Sequence, residues 1–146
     1  MKKLIFCAIV CVIGAQLLAA APEWLTSVSE AEARAKNENK LVLLNFTGSD
    51  WCVACKRMDA DVFSKPEFAS YASTNLELVE LDYPLDKKQP KELKDANNAL
   101  QIKYNVEGFP TFYALKPDGA VVWKHEGFVD GGLPALIAEL NKARNK

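Results

Sequence analysis

Possible ligands for a metal ion are scarce in this chain. Its 146 residues include one histidine, His125, and four cysteines, of which Cys7 and Cys11 lie in an apolar N-terminal stretch. A structural zinc site usually needs four protein ligands. Outside that stretch the chain has three candidate ligands, Cys52, Cys55 and His125. This number disfavours a closed zinc site within one chain. We therefore expect no metal ion.

Long basic runs, internal repeats and interdomain linkers are also lacking. The net charge is −1, and no run of basic residues is longer than Lys2-Lys3 or Lys87-Lys88. A nucleic-acid-binding surface normally needs clustered positive charge, so we expect no nucleic-acid partner. A chain of this length with 49% hydrophobic residues is typical of one globular domain.

Residues 1–21 have the pattern of a secretory signal peptide. Lys2 and Lys3 precede a run without charged residues from 4 to 21, which ends in small residues. This pattern predicts cleavage near Ala20 and a mature domain over residues 22–146, in the periplasm or outside the cell. The alternative is an uncleaved anchor, the one case in which we expect membrane contact. For that, the run is slightly shorter than the ~20 residues of a spanning helix.

Alternating helical and strand patterns predict an α/β domain. Helical periodicity occurs at 27–39, 52–64, 67–73, 90–104 and from 133 onward, after Gly131-Gly132. Short apolar runs typical of strands occur at 41–46, 76–81, 111–115 and 120–123. The last two flank Pro117-Asp118-Gly119, a hairpin sequence. A parallel pair joined through a helix and followed by a hairpin requires a mixed central sheet with helices on both faces.

The first predicted helix carries a possible capping box. Ser29 is followed three positions later by Glu32. At this spacing each side chain accepts a hydrogen bond from a backbone N–H of the other residue. We therefore expect the helix to begin next to Ser29.

Cys52 and Cys55 form a C-x-x-C motif where a buried strand is predicted to meet a helix. Free N–H groups and the helix dipole stabilise a thiolate there. The thiolate is the nucleophile, so we expect an exposed Cys52 to attack a substrate disulfide and a sheltered Cys55 to resolve the mixed disulfide. A purely structural disulfide would close too small a loop to constrain the unfolded chain much. Lys56, in place of histidine, disfavours covalent haem attachment.

Two separated motifs resemble those of thioredoxin-like proteins. They are Trp-Cys-Val-Ala-Cys-Lys at 51–56 and Val-Glu-Gly-Phe-Pro-Thr at 106–111, and the resemblance covers about residues 40–143. The first motif, with Val-Phe-Ser-Lys-Pro at 62–66, is also similar to the C-terminal domain of DsbD-type thiol:disulfide interchange proteins. The resemblance implies a thioredoxin-like fold. It also implies a thiol–disulfide oxidoreductase of the protein-disulfide reductase type, with no cofactor besides the Cys52–Cys55 disulfide.

The resemblance further implies a substrate groove and two kinds of partner. In this family the second motif carries a cis proline beside the cysteines, so we expect a cis Phe109–Pro110 bond and a groove lined by Trp51, Phe109 and Pro110. The expected partners are proteins or peptides with disulfides, and a thiol protein that donates electrons. That donor is unidentified, because the membrane-spanning part of DsbD-type proteins is absent here.

One position departs from the family. Thioredoxin-like proteins commonly bury an acid on the strand before the motif, under the second cysteine. Here that position is Asn45, which cannot accept a proton as a carboxylate does. Asp59, four positions after Cys55 and on the same helical face, is a possible substitute as proton acceptor. The alternative is that Asp59 is an ordinary solvated acid.

The residues around Cys52 favour a reductant or a mild exchanger over a strong oxidant. Val53 and Ala54 offer only backbone amides to a thiolate, and the negative charge of Asp50 opposes it, whereas a strong oxidant stabilises its thiolate heavily. A different class of function also stays open, in which a peptide-binding or chaperone module uses the groove without redox turnover.

Overall fold

The computed structural model describes residues 21–145, which contain five strands and five α-helices. The strands are β1 (Trp24–Leu25), β2 (Leu41–Thr47), β3 (Leu76–Asp82), β4 (Thr111–Leu115) and β5 (Val121–Glu126). The helices are α1 (Val28–Glu38), α2 (Val53–Met58), α3 (Pro66–Asn75), α4 (Lys91–Lys103) and α5 (Gly132–Arg144), and a π-helical turn (Asp59–Phe63) continues α2. Apart from Ala21, the predicted signal peptide lies outside the described residues. Within them no helix is long and apolar enough to cross a membrane.

The five strands form one mixed sheet in the order β1-β3-β2-β4-β5. Strand β3 pairs in parallel with β1 and β2, and β4 pairs antiparallel with β2 and β5. One hydrophobic cluster packs α2, α3 and α5 on one face, and a second cluster packs α1 and the end of α4 on the other. The predicted mixed sheet with helices on both faces is confirmed.

Strand β2 lies in the middle of the sheet, and all seven of its residues are buried. Leu43 faces the cluster of α2, whereas Leu44 and Phe46 face the cluster of α1. Because side chains alternate along a strand, Asn45 and Thr47 continue the row that faces α2. A strand covered on both faces has a nearly continuous apolar sequence, which is why this one was predictable.

Strand β1 was not predicted from the sequence. Its two residues pair with Leu78 and Val79 of β3, and the ring of Trp24 meets that of Phe63 edge-on at a centroid distance of 5.1 Å. A two-residue strand is too short to show an alternating pattern. Its place is decided by the sheet edge and by the aromatic packing, neither of which is local in sequence.

The predicted capping box of the first helix is wrong by two residues. Helix α1 begins at Val28, and its N-cap is Ser27, whose Oγ accepts a hydrogen bond from the Glu30 N–H at 3.3 Å. Ser29 lies inside the helix, with its Oγ 3.0 Å from the Ser27 Oγ. Both serines precede a glutamate by three positions, so the pattern alone could not choose between them. The end of β1 at Leu25 decides where the helix begins.

Replacing Ser27 by alanine is expected to lower the free energy of unfolding by about 1 kcal/mol, the usual effect of losing an N-cap acceptor. The matched variant Ser29→Ala removes no acceptor of a backbone N–H and should stay within ~0.5 kcal/mol of the unmodified protein. Urea unfolding followed by circular dichroism measures both values. If Ser29→Ala lowered the free energy of unfolding more than Ser27→Ala did, Ser29 would be the N-cap.

Candidate active site at the start of helix α2

The two cysteines of the C-x-x-C motif form a disulfide at the start of α2. Cys52 is the N-cap residue and Cys55 lies in the first turn, with 5.2 Å between their Cα atoms. In this oxidised form the two residues are 6% and 5% exposed. The structure thus joins the predicted pair, but it shelters both cysteines instead of Cys55 alone.

Backbone N–H groups surround the two sulfur atoms. The Cys55 N–H donates to the Cys52 Sγ at 3.1 Å, and the Gly48 N–H donates to the Cys55 Sγ at 3.5 Å. Such donors at the start of a helix favour a negative charge. On reduction of the disulfide, the contact from Cys55 N–H therefore favours a thiolate on Cys52.

Helix α2 keeps its predicted buried face through an irregular turn. Cys55, Met58 and Val62 are all buried, which confirms that they share one face. The Ser64 N–H donates to the Asp59 carbonyl at 2.8 Å, five residues back, so the helix widens at this turn. π-helical turns frequently occur at functional sites. Asp59 begins this one and is exposed.

Trp51 brings the two family motifs together. Its indole N–H donates to the Tyr83 carbonyl at 2.8 Å, and its ring meets Phe109 edge-on at a centroid distance of 5.8 Å. The Phe109–Pro110 bond is cis, as the resemblance implies, and Pro110 is buried. The predicted groove residues thus belong to two segments that meet next to Cys52. Their role in holding a substrate stays a prediction.

Asp50 holds the loop that follows β3, a role that the sequence analysis missed. Its carboxylate accepts hydrogen bonds from the N–H groups of Leu85, Asp86 and Lys87 at 3.1, 2.8 and 3.0 Å. Desolvation acts to raise the pKa of Asp50, but these backbone donors lower it to about 2. The negative charge of Asp50 was expected to oppose a Cys52 thiolate. In the structure three backbone N–H groups stabilise this charge. Because 35 residues separate Asp50 from the nearest of them, no local pattern reveals the contact.

A cavity of about 310 Å³ lies beside Cys55, and Asn45, Asp59, Glu80 and Asp82 are among its lining residues. The Asn45 Oδ1 is buried and has no hydrogen-bond partner among the described residues. Asp59 lies on this cavity as expected from its helical face, and its role as proton acceptor stays a prediction. Glu80 was not among the predicted site residues, because the pattern of its strand does not distinguish it from a solvated acid. Within residues 21–145, no group of three or more histidine, cysteine or acidic side chains is placed to hold a metal ion.

Comparison with known proteins assigns the chain to a family. A family model described as a thioredoxin-like domain matches residues 28–143. The chain belongs to the thioredoxin-like family. The match spans α1 to α5 and so includes both motifs named above.

Relatives of this thioredoxin-like protein include two bacterial redox proteins. The chain is 34% identical over 127 residues to the disulfide bond reductase DsbH of Chlamydia pneumoniae, a match that covers 87% of this chain and 75% of DsbH. It is 35% identical over 112 residues to the thiol:disulfide interchange protein DsbD 2 of Pseudomonas aeruginosa. That match covers 73% of this chain but only 18% of DsbD 2.

Solved structures agree with this assignment. The structure of a DsbH oxidoreductase is similar over 89% of both chains, with a TM-score of 0.81 and 32% sequence identity. The oxidised C-terminal domain of Neisseria meningitidis DsbD has a TM-score of 0.56 at 22% identity, over 77% of this chain and 88% of that one, which supports the fold alone. With its C-x-x-C disulfide, this thioredoxin-like chain is a thiol–disulfide oxidoreductase.

Gly48 leaves room for the Trp51 indole, since a Cβ atom at Gly48 would lie 2.4 Å from that ring. Gly48→Ala should therefore displace the indole and break its hydrogen bond to the Tyr83 carbonyl. We expect hydrogen exchange of the Trp51 indole N–H, followed by NMR, to become about tenfold faster, as for the loss of a bond worth about 1.4 kcal/mol.

Gly108→Ala is the matched control, because a Cβ atom there meets nothing within 4 Å. It should leave the exchange rate of the Trp51 indole unchanged. If Gly48→Ala also leaves that rate unchanged, the position of Trp51 does not depend on the glycine.

Proposed function

We propose that the protein reduces disulfides in protein or peptide substrates through a dithiol–disulfide cycle of Cys52 and Cys55. The observation that carries the proposal is the disulfide at the start of α2, where the Cys55 N–H donates to the Cys52 Sγ at 3.1 Å. This donor favours the thiolate of Cys52, and the thiolate is the attacking species in disulfide exchange.

The proposed cycle has two exchange steps. The Cys52 thiolate attacks one sulfur of the substrate disulfide, forms a mixed disulfide and releases the first substrate thiolate. Cys55, as a thiolate, then attacks the Cys52 Sγ and releases the second one. The substrate gains two electrons and the protein is left with its own disulfide, which a thiol protein must reduce again. The Cys52/Cys55 dithiol carries the two electrons, so the cycle uses no organic cofactor and no metal.

The surroundings of the disulfide support reduction over oxidation. A strong oxidant keeps its reduced thiolate unusually stable, and Val53 and Ala54 bring no side-chain donor to Cys52. One relative, DsbH, of which the match covers 75%, is named a disulfide bond reductase. Both observations favour a reductant or a mild exchanger.

Exposed apolar side chains beside the motif support polypeptide substrates. Trp51 is 41% exposed, Val53 81% and Leu85 74%. Trp51 and Val53 flank Cys52, and Leu85 lies in the loop that Asp50 holds. Exposed apolar side chains beside a reactive disulfide suit contact with another polypeptide.

We place this activity in the periplasm or outside the cell, on the signal-peptide pattern of residues 1–21. The proposed partners are substrate proteins with disulfides and an unidentified thiol protein as electron donor. Attachment to a membrane would follow only if residues 1–21 were retained.

Turnover of insulin tests the proposed reaction. We expect the protein to reduce insulin in the presence of a dithiol, Cys52→Ala to be inactive, and Cys55→Ala to accumulate a mixed disulfide with the substrate, because only the resolving step is lost. Non-reducing electrophoresis detects that adduct, and mass spectrometry of adducts formed in extracts identifies the natural partners. Insulin binding without dithiol-dependent turnover would favour the peptide-binding alternative.

The reduction potential tests the proposed direction. We expect a value nearer the ~−270 mV of thioredoxins than the ~−120 mV of strong oxidants, a difference worth about 7 kcal/mol for two electrons. Equilibration with glutathione buffers of known ratio gives the value. Ala54→His, which places a donor between the cysteines, should move the potential toward the oxidising end. A potential above about −150 mV in the unmodified protein would contradict the proposed direction.

A further inference from the structure

Cys55 must lose a proton before it can resolve the mixed disulfide, although it is only 5% exposed. Burial disfavours the charged form of an acidic group, so a buried thiol gives up its proton less readily than an exposed one. The cavity beside Cys55 brings three carboxyl groups to one space, those of Asp59, Glu80 and Asp82. These groups are the candidates to receive the proton.

Two of the three carboxyl groups are poorly suited to this role. Asp82 accepts hydrogen bonds from the Ser49 N–H at 2.9 Å and the Ser49 Oγ at 2.6 Å. Both oxygens of the Asp82 carboxylate are therefore already engaged by Ser49. Asp59 is exposed, so bulk water competes with the Cys55 thiol for hydrogen bonds to the Asp59 carboxylate.

Glu80 differs from both. It is half-buried on β3 and pairs in register with Asn45 of β2, so the two side chains lie on the sheet face that α2 covers. Within residues 21–145 its carboxylate has no hydrogen bond and no ion pair. The buried Asn45 Oδ1 beside it is also without a partner among the described residues. Buried polar groups are normally satisfied by protein or by ordered water, so this pair indicates a place for water or for a protonated carboxyl group.

The charges around Glu80 favour its protonation. Desolvation raises the pKa of Glu80, the charges of Asp82 and Asp59 raise it further, and Lys87 lowers it. The other charged residues lining the cavities beside Glu80 are Lys56 and Lys88. A carboxyl group whose pKa is moved toward the working pH is a more effective general base than an ordinary one.

We propose that Glu80 accepts the proton of Cys55 through water in this cavity during resolution. The Cys55 S–H bond breaks, its proton passes to a carboxylate oxygen of Glu80, and the resulting thiolate attacks the Cys52 Sγ. The bond between Cys52 and the substrate sulfur then breaks, and the substrate thiolate leaves with the electron pair. Glu80 afterwards returns the proton to solvent. The inference rests on the proposed function, because it concerns the second step of that reaction.

Ellman's reagent separates the two steps in stopped-flow absorbance measurements on the reduced protein. Attack by Cys52 releases the first thionitrobenzoate at a rate proportional to the reagent concentration, and resolution by Cys55 releases the second at a rate independent of it. Glu80→Gln should slow the second release by at least about tenfold near neutral pH, a modest effect for a lost general base, and change the first by less than about twofold.

The pH dependence adds a readout that a purely structural role would not change. In the unmodified protein the second release should become faster as pH rises through the pKa of Glu80, since only the carboxylate accepts a proton. Glu80→Gln should abolish this inflection. Asp59→Asn is the matched control: it removes a like charge, so it should lower the Glu80 pKa and move the inflection to lower pH without abolishing it.

Three results would overturn the inference. In one, Glu80→Gln releases the second thionitrobenzoate as fast as the unmodified protein. In another, Asp59→Asn abolishes the inflection, which would make Asp59 the acceptor. In the third, the inflection does not coincide with the Glu80 pKa measured by carbon-13 NMR on the unmodified protein, a comparison that holds even if a variant fails to fold. Failure of the proposed function is distinct, because the unmodified protein would then not reduce insulin.

Discussion

The burial of β2 on both faces is the constraint on which the site depends. Because β2 is fixed between β3 and β4, the position where it ends is fixed too, and Cys52 follows five residues after its last residue, Thr47. The parallel strand β3 ends at the same edge with Asp82, and the antiparallel strand β4 begins there just after Pro110. The ends of three neighbouring strands thus place the disulfide, Asp82 and the second motif at one edge of the sheet.

Hydrogen bonds between side chains and backbone then hold the connecting loops against this edge. The Asp50 carboxylate accepts hydrogen bonds from three N–H groups of the loop after β3. The Trp51 indole donates to the Tyr83 carbonyl. The Ser49 hydroxyl donates to the Asp82 carboxylate. The Lys56 Nζ also donates to the Asp50 carbonyl at 2.7 Å. Functional loops are usually placed by a rigid scaffold, and here the turn before Cys52 and the loop after β3 stabilise each other. The exposed apolar side chains beside the disulfide are positioned by this arrangement.

The placement of acids around Cys55 follows from the cost of burying charge. An ionised carboxylate buried without partners is strongly unfavourable. The β2 position at which this family commonly buries an acid carries the neutral Asn45, which is 6% exposed. Glu80, its register partner on β3, is only half-buried and faces a cavity that is large enough for water. A carboxyl group at this place keeps partial access to solvent and still reaches the space beside the second cysteine. The fold therefore offers acid–base chemistry without a fully buried charge.

The sequence by itself determined the features that repeat along the chain or depend on neighbouring residues. The apolar run of β2, the helical face of Cys55, Met58 and Val62, and the C-x-x-C motif were predictable, because strand alternation, helical period and the start of a helix act over a few residues. Only the tertiary structure decided the two-residue strand β1, the choice of Ser27 as N-cap, the loop contacts of Asp50 and the approach of Glu80 to Cys55. Each of these depends on groups that packing brings together from distant parts of the chain, and a local pattern carries no information about such distances.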